Sequence, residues 1–323
     1  MGWSSTPAFA LDCDRYDQSS YLGRVLKFID VTHPRNLLAT DDQVAEYKSI
    51  IDHFRRTGKA PDGVSDDNLW TARSALESIV HPDNGNLIPL PFRFSAFVPV
   101  NLPICVGMLT ATTIPSTIFW QWINQSYNVA VNHANRNASN PMSNEQIAKA
   151  YCGAVGVSCG LSVGLSQIAQ RANLALFRQF VPFIAVASAG AFNVILMRYN
   201  ELTEGIEIKD EEGTVFGKSQ AAGRSALTQV ALTRIALPAP ILIIPPLIMN
   251  ALAKANKIPT GRLGRLFVET SVITACLAMA VPLAIGLFPQ HGRIDAADVE
   301  KDFQGLRDKK GNPVMRFIYN KGL

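Results

Sequence analysis

The residues best equipped for chemistry lie in one polar run, FWQWINQSYNVAVNHANRNAS, at residues 119–139, uncharged up to Arg136. At 100° per residue, Gln121, Gln125, Asn128, Asn132 and Asn135 share an arc of about 80° on a helix, with Asn124 and Arg136 flanking it. Each carboxamide offers two N–H donors and a carbonyl acceptor. Such a stripe can hold a carboxylate, an ammonium and a hydroxyl without carrying net charge. The same pattern also suits a helix lying in a membrane interface with its amides in water, or packing on a neighbour. Asn124-Gln125-Ser126 and Asn137-Ala138-Ser139 have the form of glycosylation sequons, which we discount because the stripe reads as membrane-apposed.

Charged residues near the ends of apolar segments form a second group. Arg178, Arg198 and Arg234 read as interfacial anchors, with gating or anion binding as the alternative, and Arg136 joins them at the end of the stripe. Glu201 and Glu204 follow Arg198 closely enough to pair with it. The five histidines show no metal-site spacing, and no acidic residue falls within an apolar segment, so no metal is expected. Gly217-Lys218-Ser219 imitates the end of a phosphate-binding loop, but Glu212 stands where that loop needs glycine. No nucleophile, base and orienting acid assemble from local motifs, so the reading is non-enzymatic.

The elements that must position these residues are hydrophobic. Of the 323 residues, 48% are hydrophobic and 17% charged, against about 25% charged in soluble domains. No Asp, Glu, Lys or Arg occurs in the 42 residues between Arg93 and Arg136. Four further charge-free runs follow, and a bilayer core needs about 20 mostly apolar residues per helix. The fold class is therefore an all-α polytopic membrane protein with about five transmembrane helices, at about 98–118, 150–170, 179–197, 235–253 and 270–288. Some are proline-broken: Pro238, Pro240, Pro245 and Pro246 all fall in the fourth. Gly156, Gly160 and Gly164 in the second have the spacing that lets helices approach closely in lipid. Residues 1–93 form a helical soluble region in which Thr40 and Gln43 make a capping box and Ser65 caps a further helix. Residues 94–292 are the membrane domain, and 293–323 a C-terminal tail. Residues 206–217 alternate and turn as a small hairpin.

Arg171 and Arg178 mark one short loop, and Lys254, Lys257, Arg262 and Arg265 another. The basic bias places the N-terminal region and these loops on one side. Five crossings then put the C-terminal tail on the other. The net charge of +4 without a basic run gives no reason to expect nucleic acid. The five cysteines lack disulfide or zinc spacing and read as small packing residues. The N-terminus has neither a secretory h-region nor an acid-poor transit peptide.

Long strings in the chain resemble the sideroflexin family: RVLKF (24–28) with His33-Pro34-Arg35, then His81-Pro82-Asp83, FWQWINQSYN (119–128) and NRNA (135–138). They continue through FVPF (180–183) with AVASA (185–189), Met197-Arg198-Tyr199, LTRIALPAPILIIPP (232–246), LFPQ (287–290) and the terminal YNKGL. Asn84 departs from the threonine expected there. The resemblance, closest to the serine-transporting members, implies a multi-pass mitochondrial inner-membrane protein with its N-terminus in the matrix. Its implied activity is import of serine for one-carbon metabolism. The expected partners are serine, other small neutral amino acids and membrane lipid, with no cofactor and no oligomeric state specified. A citrate or tricarboxylate carrier is one alternative, and a non-transport scaffold supporting iron and respiratory-chain homeostasis is another. The absence of charge at membrane depth favours a zwitterion over a tricarboxylate, which would need basic residues facing a cavity.

Overall fold

Capping and proline chemistry cut the chain into its elements. The computed structural model describes residues 6–81, 85–135, 143–172 and 175–322. The N-terminal region carries α1 (Tyr21–Val31), α2 (Pro34–Leu37), α3 (Asp41–Thr57) and α4 (Asp66–Ile79). The apolar part follows as α5 (Phe97–Thr110), α6 (Ile114–Ala134), α7 (Asn144–Arg171), α8 (Ala175–Arg178), α9 (Val181–Met197) and α10 (Tyr199–Thr203). After β1 (Ile206–Lys209) and β2 (Val215–Ser219) come α11 (Gln220–Ala236), α12 (Ala239–Leu242), α13 (Ile244–Lys254) and α14 (Arg262–Ile285). The last strands are β3 (His291–Asp295) and β4 (Arg316–Asn320).

Three helical stretches are long and apolar enough to cross a membrane: Asn144–Arg171, Gln220–Lys254 and Leu263–Ile285. Phe94–Thr110 and Val181–Met197 are shorter apolar helices. The Gln220–Lys254 stretch is interrupted near Pro238 and again before Pro245, because each proline removes a backbone donor and crowds the preceding turn. The helical membrane class therefore holds, with a small sheet added to it.

The fold divides into two units, 1–111 with 126–141 and 244–286, and 112–125 with 142–243 and 287–323. In the first, the Thr40 hydroxyl accepts from the Gln43 N–H while the Gln43 side chain accepts from the Thr40 N–H, closing the capping box of α3. Gly58 ends that helix in the left-handed conformation that glycine adopts without strain. Phe9, Ile51, Leu69 and Trp70 form a buried cluster between α3, α4 and the N-terminal strap. The strap is tied to α4 by polar bonds: Trp70 Nε1 donates to the Pro7 carbonyl at 2.9 Å, and Arg73 Nη1 to that of Cys13 at 2.6 Å.

The segment expected at 98–118 is two helices, not one. Thr113 and Ser116 cap each other reciprocally, so a new helix starts where a single crossing was expected to continue. Near its end, Asn135 Nδ2 donates to the Phe92 carbonyl at 2.9 Å, and the Tyr127 hydroxyl donates to that of Pro91 at 3.0 Å. Thus α6 returns to the residues from which α5 departs. Tyr21 donates to the Leu283 carbonyl and Arg24 Nε to that of Gly286, at 3.1 and 2.8 Å, so α1 sits at the C-terminal end of α14. The 24 residues of α14 span about 36 Å at 1.5 Å each. The basic turn carrying Lys254 and Lys257 lies at the other end of that helix, away from the N-terminal region. The chain leaves α14 at the end to which α1 is bonded.

In the second unit α7 and α9 pack along their length. The close approach is made at Gly153, where an added Cβ would lie 2.8 Å from the Phe192 ring. The Gly156, Gly160 and Gly164 stripe, expected to be the packing face, has nothing within 4 Å of its would-be Cβ positions. Correct spacing marks a smooth helix face but does not say that a neighbour occupies it.

Residues 293–323, expected as a tail, supply half of a sheet with strand order β2-β1-β4-β3. The β1–β2 hairpin turns at residues 210–213, as the alternation predicts. Along β4, Phe317 and Tyr319 point inward while Arg316 and Asn320 are exposed. Together with Ile208, Val299 and Val314 they pack against Ala222 and Ala226 of α11. Gly292 is paired opposite Tyr319, whose ring lies where a side chain at 292 would project.

Glu300 ties the C-terminal segment to the start of α11, accepting from the Ala221 N–H at 2.8 Å. Burial pushes its carboxyl up, but hydrogen bonds from the Ser219 hydroxyl and from backbone N–H groups outweigh that and hold it below its usual value of 4.5. A carboxyl lowered on folding contributes stability that is present above the unfolded pKa and lost as pH falls through the folded one. Glu300→Gln should therefore melt below the parent at pH 7. The gap should narrow as pH falls below 4.5, the carboxyl's usual value, as thermal melts across that range would show.

Candidate functional site

Within the second unit, α6 and α7 face each other through a ladder of polar side chains. Gln121 and Gln125 are four residues apart on α6, and Ser158 and Ser162 four apart on α7, so each pair projects from one helix face. Gln121 Nε2 meets Ser162 Oγ and Gln125 Nε2 meets Ser158 Oγ, both at 3.4 Å. Between these rungs, the Ser158 hydroxyl donates to Gln121 Oε1 at 2.5 Å. Pairing 121 with 162 and 125 with 158 makes the two helices antiparallel here. All four side chains are almost wholly buried.

Polar capacity remains after these bonds are made. Asn124 is 4% exposed and its Nδ2 has no partner; Asn193 on α9 is 3% exposed and its Oδ1 has none. A buried unpaired donor or acceptor costs about 1–3 kcal/mol. One orphan is a donor and the other an acceptor.

The site therefore keeps Gln121, Asn124 and Gln125 from the predicted stripe. Asn128, Asn132 and Asn135 are half-buried farther along α6. Asn135 is committed to the Phe92 and Val131 carbonyls, which makes it a structural tie of the first unit. Arg136 lies outside the described residues. Arg198 is held by Glu201 in a two-point pair, Nε and Nη2 at 2.7 and 2.6 Å, and also donates to the Lys321 carbonyl. It anchors the end of α9 to the C-terminal residues. Glu204 instead approaches Lys218 at 3.7 Å. Arg234 ends α11 half-buried beside α9, where the absence of a side chain at Gly190 leaves room for it.

Sequence reasoning missed Ser158, Ser162 and Asn193. The serines have the same spacing as the glutamines, but in an apolar helix of small residues that spacing gains meaning only once the partner helix is known.

A sequence profile of the sideroflexins matches residues 10–323. The chain belongs to the sideroflexin family. It is 44% identical to "Sideroflexin" of Dictyostelium discoideum, with the full length of both chains covered. It is 39% identical to "Sideroflexin-5" of Homo sapiens, over 99% of this chain and 94% of that one. Against "Sideroflexin-1" of Mus musculus it is 38% identical over 96% of each. No solved structure matches. Family membership and the spanning helices together make this sideroflexin a multi-pass membrane protein.

Proposed function

We propose that this sideroflexin carries small neutral amino acids, serine first, across the mitochondrial inner membrane towards the matrix. The observations that support the reading are two buried orphan groups in the second unit, Asn124 Nδ2 on α6 and Asn193 Oδ1 on α9, and the ladder of amides and hydroxyls between α6 and α7. In a bilayer no water replaces a missing partner. A serine molecule brings a carboxylate for the donor, an ammonium for the acceptor and a hydroxyl for the ladder. Broken helices serve other transporters in the same way, by freeing backbone groups, and the Pro238–Pro246 stretch breaks the chain twice.

A tricarboxylate fits this site less well. Its negative charges call for free cations at depth, whereas Arg198 is already neutralised by Glu201. The deciding experiment is uptake into liposomes containing the purified protein, tested against a panel of amino acids and citrate. Saturable serine uptake is expected, and citrate uptake without serine uptake would overturn the reading. Asn193→Leu removes the orphan acceptor while preserving bulk. Its serine uptake should fall about tenfold, the worth of one hydrogen bond to a charged group, at unchanged protein level.

A further inference from the structure

We propose that the N-terminal region lies against the bilayer surface, with α1, the end of α2 and the approach to α5 seated in the headgroup layer. The observation is an asymmetry in exposure. Among the described residues from 39 to 86, which include α3 and α4, no large hydrophobic side chain is exposed. Immediately outside that range Tyr21, Leu22, Leu38, Leu87 and Leu90 all are, Leu38 at 79% and Leu22 at 65%. Single exposed leucines are ordinary, and Leu11 on the strap is one at 39%, but the grouping of five exposed apolar side chains in these stretches, with none between them, is not.

That part adjoins the ends of the membrane helices. Tyr21, next to Leu22, is bonded to the Leu283 carbonyl in the last turn of α14. Leu38 caps α2, which packs on residues 94–96 at the entry to α5, and Leu90 opens the short turn leading into that helix. Each apolar side chain is therefore within a few residues of a point where the chain meets lipid. The polar complement fits as well: Arg35 is exposed three residues before Leu38, and Tyr21 brings an aromatic ring with a hydroxyl. Aromatic, aliphatic and arginine side chains together are the composition of an interfacial anchor. The well-filled α3–α4 core faces water on its other surfaces, which carry the charges. The occupant is lipid, since the patch continues the level at which α5 and α14 meet the bilayer.

The test uses the full chain with its five cysteines replaced by alanine and single cysteines placed in turn at Leu22, Leu38, Lys48 and Met279. Each is labelled with bimane and reconstituted in phosphatidylcholine–phosphatidylglycerol vesicles containing lipid with a nitroxide near the headgroup or deep in the acyl chain. Met279, on the outer face of α14, reports the bilayer interior, and Lys48, on α3, reports water. Labels at 22 and 38 should be quenched at least about twofold more by the shallow nitroxide than by the deep one, as an interfacial depth of about 5–10 Å requires. Quenching equal to that at Lys48, with Met279 still quenched, overturns the proposal. Protection at 22 and 38 that grows with protein density and ignores the nitroxides also overturns it, because a second copy would then cover the patch.

Discussion

Gln121→Leu should reduce serine uptake at least about tenfold while leaving the protein folded and inserted, the loss corresponding to about 1.5 kcal/mol of buried polar interaction. The two effects separate for a physical reason. Gln121 Oε1 accepts the Ser158 hydroxyl, and its amide nitrogen meets Ser162. Without it, each serine can turn its hydroxyl to the carbonyl one turn back on α7, as serines in apolar helices do. The helix pair loses its ladder without leaving a buried hydroxyl unpaired, and leucine suits the surroundings. What disappears is the frame that holds Asn124 and Gln125. Gln121→Glu tests the same frame by charge, and serine uptake should fall there too. Wild-type uptake by Gln121→Leu at matched protein levels would remove the ladder from the transport path.

Phe317→Ala should destabilise the extramembrane sheet by about 3–5 kcal/mol, the usual range for deleting a fully buried aromatic ring. Phe317 has no solvent exposure and packs edge-on to Phe216 and Phe303, with ring centroids 5.5 and 6.5 Å away. These rings come from β2, β4 and the segment between β3 and β4, so one truncation loosens three parts of the sheet unit. Met315, two residues earlier and 72% exposed, is the control: Met315→Ala should change stability by less than about 0.5 kcal/mol. Thermal melts in detergent, together with protease sensitivity of residues 291–320, would give both values. Equal behaviour of the two variants would mean that the sheet does not limit stability.

Much of the helical plan was legible because it rests on local chemistry. Missing charges located the apolar stretches, Thr40 and Gln43 announced the start of α3, and alternation from Ile206 announced the hairpin. The division of the first apolar run into α5 and α6 was not legible. Its visible prolines suggested a kink, yet Pro103 sits inside α5 and the break falls at Thr113, whose cap looks like any threonine until its geometry is known. The sheet was half legible: Arg316-Phe317-Ile318-Tyr319-Asn320 alternates as a strand should, but its pairing to residues more than 100 positions earlier has no local sign. The bonding of α1 to the C-terminal end of α14 sets two expectations against each other. A matrix N-terminus and a matrix-facing basic turn cannot both hold when α1 and Lys257 lie at opposite ends of α14. Protease access to the N-terminal strap in mitoplasts decides which one stands. Of the candidate site, the glutamines were visible and their serine partners were not, since a hydrogen-bond donor is conspicuous in an apolar run only when its acceptor is known.

The order of the strands also governs when this protein can finish folding. β1 pairs on one side with β2, made moments later, and on the other with β4, which is made only after α11 through α14. Until α11 through α14 and then β4 have been made, one edge of β1 presents unpaired backbone groups, the kind of edge that recruits stray strands. Closure of the sheet is thus a long-range event that follows insertion. Lys321 adds a latch: Arg198, already paired with Glu201, donates to the Lys321 carbonyl once the segment following β4 is in place. Removal of β4 would leave that edge of β1 open, a state suited to recognition by quality-control proteases.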